Sequence, residues 1–369
     1  MKSFTCHTTV LRRALAFAAQ PVERRNTIPV LGMVRITASA NGIEVRGTDL
    51  DIECRATADV IDATGKIDTT IEPKFLNGLL RWADGEVTIS REEDLITIKV
   101  DDVVAVVREL CPADDFPVMI PPQDHSATIS EARLHKALTS TIACISTEET
   151  RYYLNGVFLH DKDGLRAVST DGHRMAIYDA GEPWPFDGMI VPRKTVAILQ
   201  RAMKPGSNGT IAVKSSLDPK NSDATLAPKQ PANRVEFSGD GWTITSKTID
   251  GTFPDYTRVI PQPSQNITAV ISAAALRRFP PTNERSRAIQ IDPTTGKMTY
   301  RNYDGTEVSM PVQAKGDKPV GFNLGYLKSF VDRAGTIRLE TASAGDPARV
   351  LTDDPALLQI LMPRGFKHA

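Results

Sequence analysis

One order of elements recurs three times along this chain, and that recurrence limits the fold more than any single residue does. Each copy opens on a short amphipathic helical pattern, at 10–20, 130–142 and 272–279, and carries a second at 72–83, 192–203 and 321–331. Alternating, strand-like stretches fill the intervals. In the first helix Leu11, Leu15 and Ala18 share one face, while Arg12, Arg13 and Ala16 lie elsewhere. A two-helix, many-strand unit of this size is too long for a solenoid and predicts compact domains in tandem. A chain of 369 residues has room for two or three of them.

Strands are expected at 29–38, 43–47, 52–61, 86–90, 95–100 and 103–110, then at 156–160, 165–170 and 175–179. Turns are expected at Asn41-Gly42, Thr64-Gly65, Asp84-Gly85 and Asp163-Gly164. Pro73 sits at the first turn of its helix, where a missing N–H costs nothing. The Pro-, Ser-, Asn- and Lys-rich segment 217–233 reads as a long polar hairpin loop, and 261–265 as a Pro-rich linker. The expected domains are therefore 1–122, 126–262 and 266–369. Strands that alternate without a βαβ rhythm predict an α+β class, antiparallel sheets with helices segregated to one side. Such a row of units leaves open sheet edges at its ends, which a second chain joining head to tail would close.

Hydrophobic content of 41% and charged content of 24% belong to a globular protein. The four cysteines, Cys6, Cys54, Cys111 and Cys144, are scattered without a metal-ligand spacing, which predicts reduced thiols and no metal or other cofactor. Arg12 and Arg13 interrupt the apolar run of the first 20 residues, and no stretch reaches the roughly 18 apolar residues of a membrane span. A soluble, cytoplasmic protein with no membrane partner is expected.

Net charge is only −1, so the distribution of charge matters more than its sum. Residues 9–25 hold Arg12, Arg13, Arg24 and Arg25 against Glu23. Residues 192–204 hold Arg193, Lys194, Arg201 and Lys204 with no acid. Residues 271–287 hold Arg277, Arg278, Arg285 and Arg287 against Glu284. One basic helix is an ordinary solvated face. Recurrence in all three copies points to phosphate contact without base reading, that is, to a duplex bound without sequence preference.

The stretches Arg151-Tyr152-Tyr153-Leu154-Asn155-Gly156 and Ser169-Thr170-Asp171-Gly172-His173-Arg174-Met175 gather polar and apolar groups around a turn. The readings open there are a structural turn, the rim of a binding pocket, or a hydrolase centred on Asp171 and His173. A hydrolase needs a nucleophile, a base and an oxyanion site or a carboxylate set for metal. No Gly-x-Ser-x-Gly, phosphate loop, His-Glu-x-x-His or paired carboxylates accompany these residues. A non-enzyme is expected.

At these residues the chain resembles the bacterial sliding clamp, the beta subunit of DNA polymerase III. The resemblance also rests on 26–32, on Gly47-Thr48-Asp49-Leu50, Val191-Pro192-Arg193-Lys194 and Ser246-Lys247, and on 251–261, Gly321-Phe322-Asn323 and Met362-Pro363. It implies three similar domains per chain and two chains in a six-domain ring with helices around the hole. Arg25 matches the DNA-contacting arginine of the family, while Arg193, Lys194 and Arg277 are candidates by helix position. The resemblance also implies a groove between the second and third domains that receives short peptides from the replicative polymerase, the clamp loader and repair proteins. Its residues carried over by motif are Arg151, Leu154, Thr170, Gly172, His173, Arg174, Met175, Pro254, Arg258, Val259, Asn323, Tyr326, Leu361, Met362 and Pro363.

The chain also departs from that pattern. Arg364 stands where the family places a groove methionine, and Gly365-Phe366-Lys367-His368-Ala369 follows it. Two of the readings open there are that Phe366 supplies the missing apolar contact and that the tail partly fills the groove. Pro280-Pro281 and Arg108 fall where apolar ring contacts are expected. A specialised or resistance-conferring clamp paralogue and a plain interaction scaffold without DNA are the remaining alternatives.

Overall fold

The computed structural model describes residues 2–23, 26–122, 125–186, 188–216, 234–279, 288–301 and 306–365, with 332–334 as backbone only. Among them all six expected helices form: α1 Thr8–Ala18, α2 Pro73–Leu80, α3 Glu131–Thr141, α4 Arg193–Ala202, α5 Ala273–Arg277 and α6 Leu324–Ala334. The rest is antiparallel sheet, so the class is α+β as expected. In α1 the predicted face of Leu11, Leu15 and Ala18 is fully buried and Ala14 joins it.

Two elements start later than their periodicity suggests. Residues 29–32 form a 3-10 turn, and the strand begins only at Val34. Gly321-Phe322-Asn323 belongs to strand Val320–Asn323, paired with Ala288–Asp292, so α6 starts at Leu324. Asn323 then caps α6, its side chain accepting from Tyr326 N at 3.1 Å. Helix α5 has five residues, and a Pro280-Pro281 sequence cannot propagate it.

The chain divides into two compact units. The first holds residues 1–135, 185–187 and 194–248, and the second holds 136–184, 188–193 and 249–369. The central repeat is thus shared between the units, because its strands hydrogen-bond to those of both neighbouring repeats. In the first unit Trp242–Lys247 pairs with Ile52–Ala58, joining the central and first repeats into one eight-stranded sheet. In the second unit Arg174–Asp179 pairs with Leu357–Leu361, joining the central and third repeats into a nine-stranded sheet. A five-stranded and a four-stranded sheet complete the first and third repeats.

The core of the first unit is built from α1, α2 and the inward faces of both its sheets, with Phe4, Leu11, Ile36, Val45, Leu76 and Ile98 among its members. The corresponding core of the second unit gathers Phe279, Tyr300, Phe322, Leu327, Phe330 and Leu361. Strands Thr210–Ser215 and Arg234–Gly239 pair as a hairpin, and the predicted loop 217–233 between them lies outside the described residues. Among the described residues no helix is long and apolar enough to cross a membrane.

Candidate peptide groove and basic helix faces

All fifteen expected groove residues fall in the second unit. Seven come from residues 151–175, where a 3-10 segment, Glu149–Leu154, precedes strand Gly156–Asp161, and strands Leu165–Thr170 and Arg174–Asp179 meet at a tight turn. Gly172 adopts φ +86° in that turn, a conformation L side chains rarely hold. A Cβ there would lie 2.6 Å from Arg151 Nη1, so the glycine lets the guanidinium lie over the turn.

Asp171 builds the turn. Its Oδ1 accepts from the backbone N–H groups of His173 and Arg174 at 2.9 and 3.0 Å, and its Oδ2 accepts from Arg174 Nε at 3.0 Å. Thr170 Oγ1 donates to Arg174 O at 2.8 Å and accepts from Gly172 N at 3.1 Å. These bonds engage both carboxylate oxygens in holding the loop, which supports the structural and rim readings of the motif over catalysis.

Beneath the turn lies an apolar floor. Leu154 and Met175 are buried with Val168, Ile177, Ile190, Phe253, Tyr256 and Ile360, and Tyr153, Ile249 and Ile260 pack against them. Phe253 and Tyr256 anchor the segment that carries Pro254, Arg258 and Val259, all three exposed. The Phe253 ring stacks on Phe158 with centroids 4.8 Å apart, and Tyr256 OH lies 2.9 Å from His160 Nε2. Burial holds the His160 imidazole below its ordinary pKa.

The third repeat supplies the other side. Arg174 places its guanidinium 4.3 Å from the centre of the Tyr326 ring and donates from Nη1 to Ser329 Oγ at 2.6 Å. The His173 ring stacks on the same tyrosine, and His173 O accepts from Met362 N at 2.9 Å. Burial, helped by Asp171, pushes the Tyr326 phenol above its ordinary pKa, while Arg174 and Arg364 pull the other way. Arg364 is exposed and its N–H donates to Gly321 O at 2.8 Å. Phe366 and the tail beyond it lie outside the described residues.

The fifteen residues therefore divide by role. His173, Pro254, Arg258, Val259 and Met362 have side chains that reach solvent, and Arg151, Thr170, Arg174, Tyr326 and Pro363 are half-buried. Gly172 supplies exposed backbone at the turn. Leu154 and Met175 form the floor, while Leu361 is fully buried in the core of the third repeat and Asn323 serves as the α6 cap. Leu361 and Asn323 can only support a ligand from behind. Phe253, Tyr256, His160, Asp171 and Ser329 were not among the residues carried over to the groove, yet their contacts hold these elements together. The aromatic pair Phe253 and Tyr256, either side of Pro254-Asp255, was the available signal.

The basic helix candidates fare unequally. Arg25 lies outside the described residues, as do Pro280 and Pro281 of the expected ring contact. Arg193 is exposed at the start of α4, and Arg277 is exposed at the end of α5. Lys194 is tied down instead: Nζ pairs with Asp49 Oδ2 at 2.5 Å, lies 3.7 Å from Glu23 and donates to Pro21 O at 3.0 Å. Its charge is largely spent within the first unit. Arg108 on edge strand Val103–Arg108 is exposed and paired with Asp94 at 2.7 Å.

Comparison with known proteins places these features. The model of the DNA polymerase III beta subunit N-terminal domain matches residues 1–120, and that of the central domain matches 128–255. A beta sliding clamp of Caulobacter vibrioides is 32% identical over 97% of this chain and 98% of its own length. Crystal structures of the sliding clamp from Pseudomonas aeruginosa and from Bartonella birtlesii, each bound to griselimycin, superpose with TM-scores of 0.85 over 99% of this chain and 100% of theirs, at 26% and 29% identity.

Proposed function

The chain belongs to the bacterial sliding clamp family, the DNA polymerase III beta subunit, and on that footing we propose how its residues divide the work. It is a processivity factor and not an enzyme. It holds a polymerase on DNA by encircling the duplex, and its grip is topological. Phosphate contacts from exposed arginines are enough, because tight or base-specific contacts would stall sliding.

We assign DNA contact to Arg25, Arg193 and Arg277. Lys194 acts mainly as an internal tether, as its pairing with Asp49 supports. Two chains join head to tail, and residues 1–122, 126–262 and 266–369 form the three clamp domains of each. The open edge Val103–Arg108 supports this dimer: Val104 and Val106 are 61% and 60% exposed on a strand that pairs with Leu95–Val100 on one side and, among the described residues, leaves its other edge for a partner strand. The groove on the second unit receives a short peptide from the polymerase, the clamp loader or repair proteins. Its side chain enters the floor of Leu154 and Met175, and its backbone meets Arg151, His173 and the rim near Val259 and Met362. The protein works in the cytoplasm, in keeping with cysteines that form no disulfide.

The specialised-paralogue alternative is not favoured, since the similar proteins are beta sliding clamps over nearly the full length of this chain. The observation that carries the reading is the Arg174–Asp179 to Leu357–Leu361 seam, which sets floor and rim side by side. The test is primer extension on singly primed circular DNA by the cognate polymerase and clamp loader with ATP. Addition of this chain should lengthen products by an order of magnitude or more. Unchanged product length would refute the reading.

A further inference from the structure

Helices α1 and α2 pack on each other and contain no acidic residue within their bounds. Their outward side carries Arg13, Lys74, Asn77 and Arg81 exposed, and Arg12 half-buried. Arg12 Nη1 donates to Arg81 O at 2.9 Å, so the two helices are pinned where α2 ends. Arg81 is followed by Trp82, which at 85% is the most exposed large apolar side chain among the described residues. The Arg81 guanidinium sits over the indole, 4.8 Å from its centroid. It covers one face of the ring and leaves the other to solvent. Next along the chain, Asp84 and Glu86 offset part of the charge of the three arginines without cancelling it.

We infer that Trp82, braced by Arg81, is a stacking platform for an unpaired base of a DNA strand, with Arg12 and Arg13 attracting the adjoining phosphates. The inference rests on the clamp reading above. A large aromatic ring set among cations is the chemistry used to hold single strands, where each base can offer a π-face. Bases inside a duplex have both faces covered by neighbours, so the ligand is single-stranded DNA, such as template beyond a primer end. An apolar protein partner would want more apolar surface around the indole than Arg12 and Arg81, with Asp84 and Glu86 next along the chain, provide.

The test titrates the full chain at low salt with an oligothymidylate of about 20 nucleotides and with a blunt duplex of equal length. Affinity is read from a dye on the DNA, and stacking from tryptophan emission. Of the three tryptophans, Trp184 is buried and Trp242 half-buried, so Trp82 is the one a base can reach. Oligothymidylate should quench emission in the native chain and not in Trp82→Phe. Trp82→Ala should weaken oligothymidylate binding about tenfold and duplex binding less than twofold. The phenylalanine variant should retain most of the single-strand affinity. Equal losses for both DNAs, or no loss for either, would overturn the platform while leaving a duplex-binding clamp intact. A native chain that binds neither DNA and lengthens no products on a primed circle would overturn the clamp reading with it.

Discussion

Arg174 lies with its guanidinium 4.3 Å from the Tyr326 ring centre, so a strand of the central repeat and a helix of the third meet through one stacked cation. The same guanidinium donates to Asp171 on its own turn and to Ser329 on α6. One side chain thus fixes the turn, the seam and the aromatic rim together. Replacing it with alanine should cost about 1–3 kcal/mol of stability and weaken a polymerase-derived peptide at least tenfold by calorimetry. Arg174→Lys should recover little, since an ammonium cannot span all three partners.

Gly172→Ala should act on the site more than on the fold. The positive φ costs an L residue about 1 kcal/mol, and the added Cβ would displace the Arg151 guanidinium. Thermal unfolding should shift by only a few degrees, whereas peptide affinity should fall to the level of Arg151→Ala. Unchanged affinity would remove Arg151 from the site.

Floor and rim should separate cleanly in a pair of variants. Leu154 is buried, so Leu154→Ala should destabilise the chain by about 2–5 kcal/mol and also abolish peptide binding. Val259 is 53% exposed, so Val259→Ala should leave stability within about 0.5 kcal/mol while still weakening the peptide severalfold. Chemical denaturation beside a peptide titration would read both.

Mild acid should loosen the fold through His160. Burial lowers its pKa; Arg166 adds to this, while the backbone of Asp161 and the charges of Asp161 and Asp179 oppose it. As pH falls through the ordinary value of about 6.5, the unfolded chain takes up a proton that the fold refuses. The stability contribution is therefore complete above that pH and is lost progressively below it, towards the depressed folded pKa. Stability should therefore decline as pH falls below about 6.5, and His160→Gln should flatten that dependence, as thermal unfolding across pH would show.

On the basic helices, Arg193→Glu should lower DNA affinity and reduce the salt dependence by about one counterion, with little change in stability. Lys194→Glu should instead destabilise the first unit by leaving it a like charge beside Asp49 and Glu23. A Lys194→Glu, Asp49→Lys double variant should restore most of the loss, as thermal unfolding would show.

Much of this was legible in the sequence because its signals were local. The buried stripe Leu11, Leu15 and Ala18 follows from helical spacing, and Asp163-Gly164 turns at positive φ as its residues require. The start of α6 was misread because Gly321-Phe322-Asn323 is apolar enough to join either element, and only its pairing with Ala288–Asp292 decides. The tether on Lys194 was invisible for a similar reason: Asp49 is 145 residues away in the chain, and helical periodicity carries no information about it. The expected groove residues were carried over as motifs, but their division into buried, half-buried and exposed positions depends on the fold. Leu361 and Met362 are neighbours in sequence, yet one is fully buried and the other 40% exposed.

The central claim is that this chain holds DNA by enclosing it. The direct measurement loads labelled protein onto a nicked circular plasmid with clamp loader and ATP, isolates the complex by gel filtration, and cuts the plasmid once. Retention on the circle at roughly physiological salt, followed by release from the linear form by sliding off its ends, is the predicted result. Equal retention on both forms would mean ordinary binding and would contradict the account.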